Sequence, residues 1–304
     1  MDFKVIVDGS LVELGISKGI EPNKNKWLMS LVNEFEDGKW RYDIFENFVW
    51  DNIADTALSL KEREALSGQP RTLLVSAAKN LRLTDADNDI SKGSELAEIV
   101  LYGLMRNKYN ALPVVPKIFY KQNVQDNAKG ADSVHIVLAN EEGFTLWFGE
   151  AKFYNSIEDT RLNGIVESVR NSLSTDKLKK ENSIIVNLPE LNHIGIPEKT
   201  KERIVCALSN SNSIDHIKPL IHIPILLLHE CEVTAKATET TAEYMQNILS
   251  YHKERAFSYF TKQAKSLRGI FKYAEVTFHL ILFPVPKKKP IVDKFVKDVA
   301  HFKG

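Results

Sequence analysis

Cysteine is nearly missing from this chain. Two occur in 304 residues, Cys206 and Cys231, and neither zinc nor redox spacing relates them. A disulfide framework is thereby excluded, and reduced thiols in a cytoplasmic protein are the expectation. Glycine and proline are sparse, at 14 and 11, and no repeat or low-complexity tract is present. An excess of one charge is also missing: 40 basic residues balance 40 acidic ones. No overall field draws such a chain to DNA or to a membrane, so a nucleic-acid contact must use a local basic patch or a partner subunit. Long apolar runs are absent too. "IPILLLHE" and "VTFHLILFPVP" are strand-length and interrupted by Pro, His or Glu, well short of a membrane span. The opening "MDFKVIVDG" carries an acid where a secretory signal carries bases. There is no G-x-x-x-x-G-K-[ST], no G-x-G-x-x-G after a strand, no H-E-x-x-H and no nucleophile elbow. If ATP is used, another chain supplies it.

What is present is an ordinary globular composition, 43% hydrophobic and 26% charged. Residues 26–66 read as mostly helical, through "KWLMSLVNEF" and "FENFVWDNIADTALSLKEREAL". Ser67-Gly68-Gln69-Pro70 closes that unit. "RTLLVSAAKNLRL" suits either strand or helix, and "TDADNDISKG" is a polar loop leading to a helix over 94–109. "ALPVVPKIFYK" reads as extended. A charged helix is expected over about 158–180, "SIIVNL" suits strand or helix, and "EKTKERIVCALSNS" reads as helix. "LIHIPILLLHECEV" and "EVTFHLILFPVP" read as strands around a long helix, Ala235–Arg268, and "IVDKFVKDVAHF" as an amphipathic end helix.

The stretch "KGADSVHIVLANEEGFTLWFGEAKFYN", residues 129–155, reads as a hairpin. Its second strand is apolar on both faces: Phe144, Leu146 and Phe148 on one, Thr145, Trp147 and Phe153 on the other. Such a strand lies inside a covered sheet, yet it ends in Glu150-Ala151-Lys152. Strand side chains alternate, so Glu150 and Lys152 point to the same side. Asp132 opens the preceding strand. A two-residue loop at Glu141-Glu142 would pair Asp132 with Ala151, whereas a three-residue loop aligns Asp132 with Glu150 or Lys152. Gly143 would then take the left-handed position such a loop needs. Two close carboxylates repel unless a proton or a divalent cation lies between them. Oxygen ligands suit Mg²⁺ or Mn²⁺, and a lysine beside them can orient water or stabilise charge on a phosphate. Upstream, Glu95, Glu98, Tyr102 and Arg106 form one polar stripe on an otherwise apolar helix. Gly103 would let that helix approach a sheet closely, with Glu98, or Glu95 one turn earlier, facing the pocket.

Taken alone, an Asp some eighteen residues before a Glu-X-Lys is a weak signal. Here the helix acid, Asp132 and Glu150-Ala151-Lys152 resemble the PD-(D/E)XK nuclease superfamily in its Asp…Glu-X-Lys form, with Ala131 where the superfamily has Pro. More closely, "SAAKNLRLTD", "SKGSELAEIVLYGLM", "ALPVVPKIFYKQN" and "AKGADSVHI" resemble the nuclease subunit family of Hachiman-type antiphage defence systems, HamA. The resemblance implies an α/β fold with a mixed central sheet flanked by helices. It further implies a metal-dependent DNase working beside a separate helicase subunit. Asp132, Glu150 and the Ala151 carbonyl would bind Mg or Mn, Lys152 would position or activate water, and Glu98 would be the helix acid. The expected layout is a single domain over 1–304. Within it we expect a mainly helical N-terminal extension over 1–70, a nuclease-like core over 90–285 and a C-terminal helix over 290–304.

Other features have plainer readings. "STDKLKKEN" reads as a solvated helix end and "PVPKKKP" as a contact for a partner or DNA. Arg161 and Arg170 follow the motif on a helix and are candidates for a phosphate contact. His229 and Cys231 share a strand face without a second ligand pair, so core packing is expected rather than zinc. A second functional reading is a non-catalytic adaptor whose nuclease-like core only binds DNA or the helicase partner. No membrane contact is expected in either.

Overall fold

Runs that are apolar on both sides of the chain fit strands buried between two layers, and they set the centre of this fold. The computed structural model describes residues 3–83, 93–120, 131–139, 143–187, 196–209 and 211–304. In chain order its elements begin β1 (Lys4–Ser10), β2 (Lys26–Val32), β3 (Phe35–Glu36) and β4 (Lys39–Trp40). Four helices follow: α1 (Tyr42–Ala57), α2 (Leu60–Ala65), α3 (Pro70–Asn80) and α4 (Ser94–Tyr109). Then come β5 (Leu112–Val115), α5 (Lys117–Tyr120), β6 (Ser133–Ala139), β7 (Gly143–Tyr154), α6 (Asp159–Ser172), α7 (Thr175–Asn187) and α8 (Glu198–Ala207). The chain closes through β8 (Ile221–Glu230), α9 (Glu232–Lys236), α10 (Ala242–Leu267), β9 (Thr277–Val285) and α11 (Lys288–Lys303). The expected polar loop at 84–93, apart from Gly93, lies outside the described residues, as do turn residues 140–142 and the end of "SIIVNL".

Seven strands form one mixed sheet in the order β1-β2-β9-β8-β7-β6-β5, and β3 and β4 make a separate ribbon. The central four, β2, β9, β8 and β7, run parallel. Antiparallel strands extend both sides, β1 beyond β2 and β6 then β5 beyond β7. Helices α1, α3, α4 and α11 bury their apolar faces on one side, and α6, α7, α8 and α10 on the other. The expected mixed sheet between helices is therefore present. Pro224 sits inside the central strand β8, where a missing N–H normally costs a ladder bond. The β7–β8 pairing is interrupted there, between Trp147–His222 and Glu150–Ile225.

Several expectations need correction. "KWLMSLV", read as helix, is β2, held between β1 and β9. Its run is buried on both faces, and a short continuous apolar run does not separate strand from buried helix by periodicity. The expected helical N-terminal extension therefore contains two strands of the central sheet, with helices from Tyr42 onward. The charged helix over 158–180 is two helices, α6 and α7, parted after Ser172. "RTLLVSAAKN" resolves as helix, with Pro70 at its first turn. Gly103 permits a close approach to a helix rather than to the sheet: a Cβ there would lie 2.6 Å from the Phe48 ring of α1.

Candidate active site at the opening of a strand pair

Strands β6 and β7 pair in the register Ser133–Gly149 through Ala139–Gly143. Three residues, 140–142, connect them, the odd length that aligns Asp132 with Glu150. Gly143 is not left-handed as expected. It is the first residue of β7, where a Cβ would lie 2.4 Å from the Ala139 carbonyl oxygen, so its bare backbone lets the hairpin close.

At the far end of this pair the ladder opens. The Asp132 N–H makes the last backbone bond, to the Gly149 carbonyl at 2.7 Å. Beyond it, the Ala151 N–H finds the Asp132 side chain instead, at 3.0 Å from Oδ2. The N–H and C=O of one strand residue point the same way, so the Ala151 carbonyl opens toward the same gap. Lys152 reaches into it: its Nζ lies 2.6 Å from Glu150 Oε1, 3.3 Å from Asp132 Oδ2 and 3.2 Å from the Ala151 carbonyl oxygen. Glu150 takes a further bond from the Ser168 hydroxyl of α6 at 2.6 Å. The Glu150 side chain is 8% exposed, that of Asp132 14% and that of Lys152 30%, so the cluster opens to solvent on the lysine side.

Electrostatics follow from this crowding. Burial, then the Asp132 charge, pushes the Glu150 carboxyl above its ordinary range, while Lys152 and Ser168 pull it back. Burial lowers the Lys152 ammonium, but Asp132 and Glu150 together outweigh it and hold the lysine above its ordinary value. Lys152 thus sits between the two acids, and a protonated lysine there donates hydrogen bonds and stabilises negative charge.

The donor set is two carboxylates and a backbone carbonyl, all hard oxygen ligands, which fits Mg²⁺ or Mn²⁺ with water completing the shell. No group of three His, Cys, Asp or Glu side chains suited to a metal exists among the described residues. A cation here would thus rely on Asp132, Glu150 and the Ala151 carbonyl.

The helix acids divide. Glu95 accepts the backbone N–H groups of Arg82 and Leu83 at 3.0 Å each, which ties the exit of α3 to α4. Glu98 is buried, with 6% of its surface exposed. Helix α4 packs on the β7 face that carries Ala151 and Phe153. Gly93 at its start abuts Phe153, and Leu101 abuts Gly149. Glu98 thus sits on the helix that covers the Ala151 side of the strand, whereas Glu150 projects toward α6, where Ser168 meets it.

Two contributors escaped sequence reasoning. Ser168 reaches Glu150 only because α6 folds back along β7, and nothing in its local pattern marks it. Gly149 had a signal, an isolated glycine inside a strand. A Cβ there would lie 2.2 Å from Ser133 Oγ and 2.7 Å from Leu101 Cδ2. Arg161 and Arg170 are exposed on α6, with the Arg161 guanidinium 5.8 Å from the Tyr154 ring. His229 is packed as expected, against His252 at 3.1 Å.

Fold and cluster define the class: an α/β protein whose mixed sheet carries an Asp and a Glu-Ala-Lys at the opening of a strand pair. The chain matches the HamA family model over residues 10–299, and it belongs to that family. Membership supports a place in Hachiman antiphage defence. A search of curated proteins finds no match. Among the described residues no helix is long and apolar enough to cross a membrane.

Proposed function

We propose that this chain is the metal-dependent DNA endonuclease, or nicking, subunit of a Hachiman-type defence complex, held in check by a helicase partner. One observation carries the reading: the Lys152 ammonium lies within 3.3 Å of both Asp132 and Glu150, where the Ala151 amide and carbonyl also open. Asp132, Glu150 and the Ala151 carbonyl would hold Mg²⁺ or Mn²⁺, with Glu98 as the further acid from the α4 side. Such an ion, when bound, supplies Lewis-acid polarisation of a phosphate oxygen and an acidified water. Lys152 then donates to the attacking water or to a non-bridging phosphate oxygen, and Ser168 keeps the Glu150 carboxylate aimed into the gap. Exposed Arg161 offers a contact for the flanking phosphate. Zero net charge means weak intrinsic affinity for DNA, which favours delivery and restraint by a partner that hydrolyses ATP.

The test is nicking of supercoiled plasmid in Mg²⁺, by the chain alone and with its co-purified partner and ATP. Wild type should cut, with Glu150→Ala and Lys152→Ala slower by roughly 100-fold or more, the usual scale for losing a charge-stabilising group. Equal cleavage by all three would remove these residues from the chemistry. Metal-independent DNA or partner binding without cleavage would favour the adaptor reading instead.

A further inference from the structure

Just behind Asp132 lies a charged pair with no evident reason to be buried. Lys117, at the exit of β5, and Glu181, on α7, have side chains only 3% and 6% exposed. The ammonium lies 2.7 and 2.9 Å from the two carboxylate oxygens. Taking such a pair out of water costs about as much as the attraction returns, and apolar residues of similar volume often serve stability as well or better. Stability alone therefore does not explain the pair. Its third partner does: Glu181 Oε1 accepts the backbone N–H of Ala131 at 3.0 Å.

Ala131 is the residue before Asp132, at the point where β6 enters the sheet. The next backbone donor, Asp132 N–H, is taken by Gly149. Consecutive amides are thus pinned from two directions, one by α7 and one by β7. Strands β5 and β6 are antiparallel, with Val115 opposite Val134, so Lys117 leaves β5 at the same end of the sheet where Asp132 arrives. Lys117 neutralises Glu181, and the pair adds no net charge to the nearby cluster. What it adds is position.

We infer that Glu181, neutralised by Lys117, is a positioning residue: it clamps the Ala131 amide and thereby sets the Asp132 carboxylate for the cation. The inference rests on the metal-site reading above, deepens it, and needs a test that separates the two. Lys117→Met with Glu181→Gln removes both charges but keeps an acceptor for Ala131. Lys117→Met with Glu181→Met removes the acceptor as well, at similar volume; Lys117→Met with Glu181→Leu replaces it should the dimethionine protein fail to fold. Two readouts are taken on each folded variant: Mn²⁺ affinity by calorimetry, and amide exchange at Ala131 and Asp132 in metal-free protein.

The glutamine variant should match wild type in both. The methionine variant should bind Mn²⁺ roughly 10-fold or more weakly, the usual loss when a supporting group behind a metal ligand is removed, and exchange its Ala131 amide faster. Wild-type affinity and exchange in the methionine variant would overturn the clamp. Failure of wild type itself to bind Mn²⁺ would remove the metal-site reading, and the exchange data would still decide whether Glu181 fixes the entry of β6.

Discussion

At the scale of single residues, the cluster is a balance between like charges and one cation. Glu150 is pushed toward its neutral form by burial and by Asp132, and Lys152 and Ser168 oppose that push. Removing the Ser168 hydroxyl takes away one donor to a buried carboxylate without disturbing the sheet. Ser168→Ala is expected to weaken divalent-metal affinity about 10-fold while costing about 1–2 kcal/mol or less in a denaturant melt. Unchanged affinity would mean that α6 only covers the strand. The acids and the lysine were legible in the sequence because strand alternation and hairpin length are local rules. Ser168 was not, since its place depends on how α6 packs. Nor was the division between Glu95 and Glu98, which share one helical stripe but meet different surroundings.

At the scale of elements, the site exists because two strands pair closely and then part. Gly149 allows the close approach, with Ser133 of β6 and Leu101 of α4 filling the space that a side chain would need. Gly149→Ala should force β6 or α4 away, cost on the order of 1–3 kcal/mol, and reduce activity through the displaced Asp132. Ser133→Ala in the same chain removes the 2.2 Å conflict and should recover part of the stability in thermal melts. A Gly149→Ala protein with wild-type melting and activity would contradict this account of the fork. Element reading from sequence succeeded for β7, β8 and β9, whose apolar runs are bounded by polar residues and prolines. It failed at β2, where "KWLMSLV" is equally apolar but its partners, β1 and β9, lie far apart in the chain. A local pattern does not reveal a strand whose reason is a neighbour some 250 residues away.

At the scale of the whole molecule, four of the described histidines, His135, His229, His252 and His279, are buried in or against the sheet, and His222 is half-buried beside them. Burial lowers His135 to about 3 and His222 and His229 to about 4, and holds His252 and His279 well below the ordinary value. Two pairs meet nitrogen to nitrogen, His222 with His279 at 2.9 Å and stacked, His229 with His252 at 3.1 Å and edge to face. Each pair tolerates at most one shared proton between its rings. In the unfolded chain these groups titrate near 6.5, so their folded values are depressed. The stability they preserve is complete above about pH 6.5 and is lost as pH falls toward 4. By pH 5 His135, His222 and His229 each cost on the order of 2 kcal/mol, and His252 and His279 act in the same direction. The melting temperature is expected to fall by at least about 10 °C between pH 7.5 and 5; a flat profile would contradict the burial of these rings.

The central claim, that the strand opening holds a divalent cation, is met most directly by anomalous diffraction from crystals soaked in Mn²⁺. The account predicts one strong peak within about 2.1 Å, the oxygen distance of a small divalent ion, of the Asp132 and Glu150 carboxylates and the Ala151 carbonyl, and none in Asp132→Ala crystals. A Mn²⁺ concentration that supports DNA cleavage yet leaves no peak there, or a peak bound elsewhere on the chain, would contradict it.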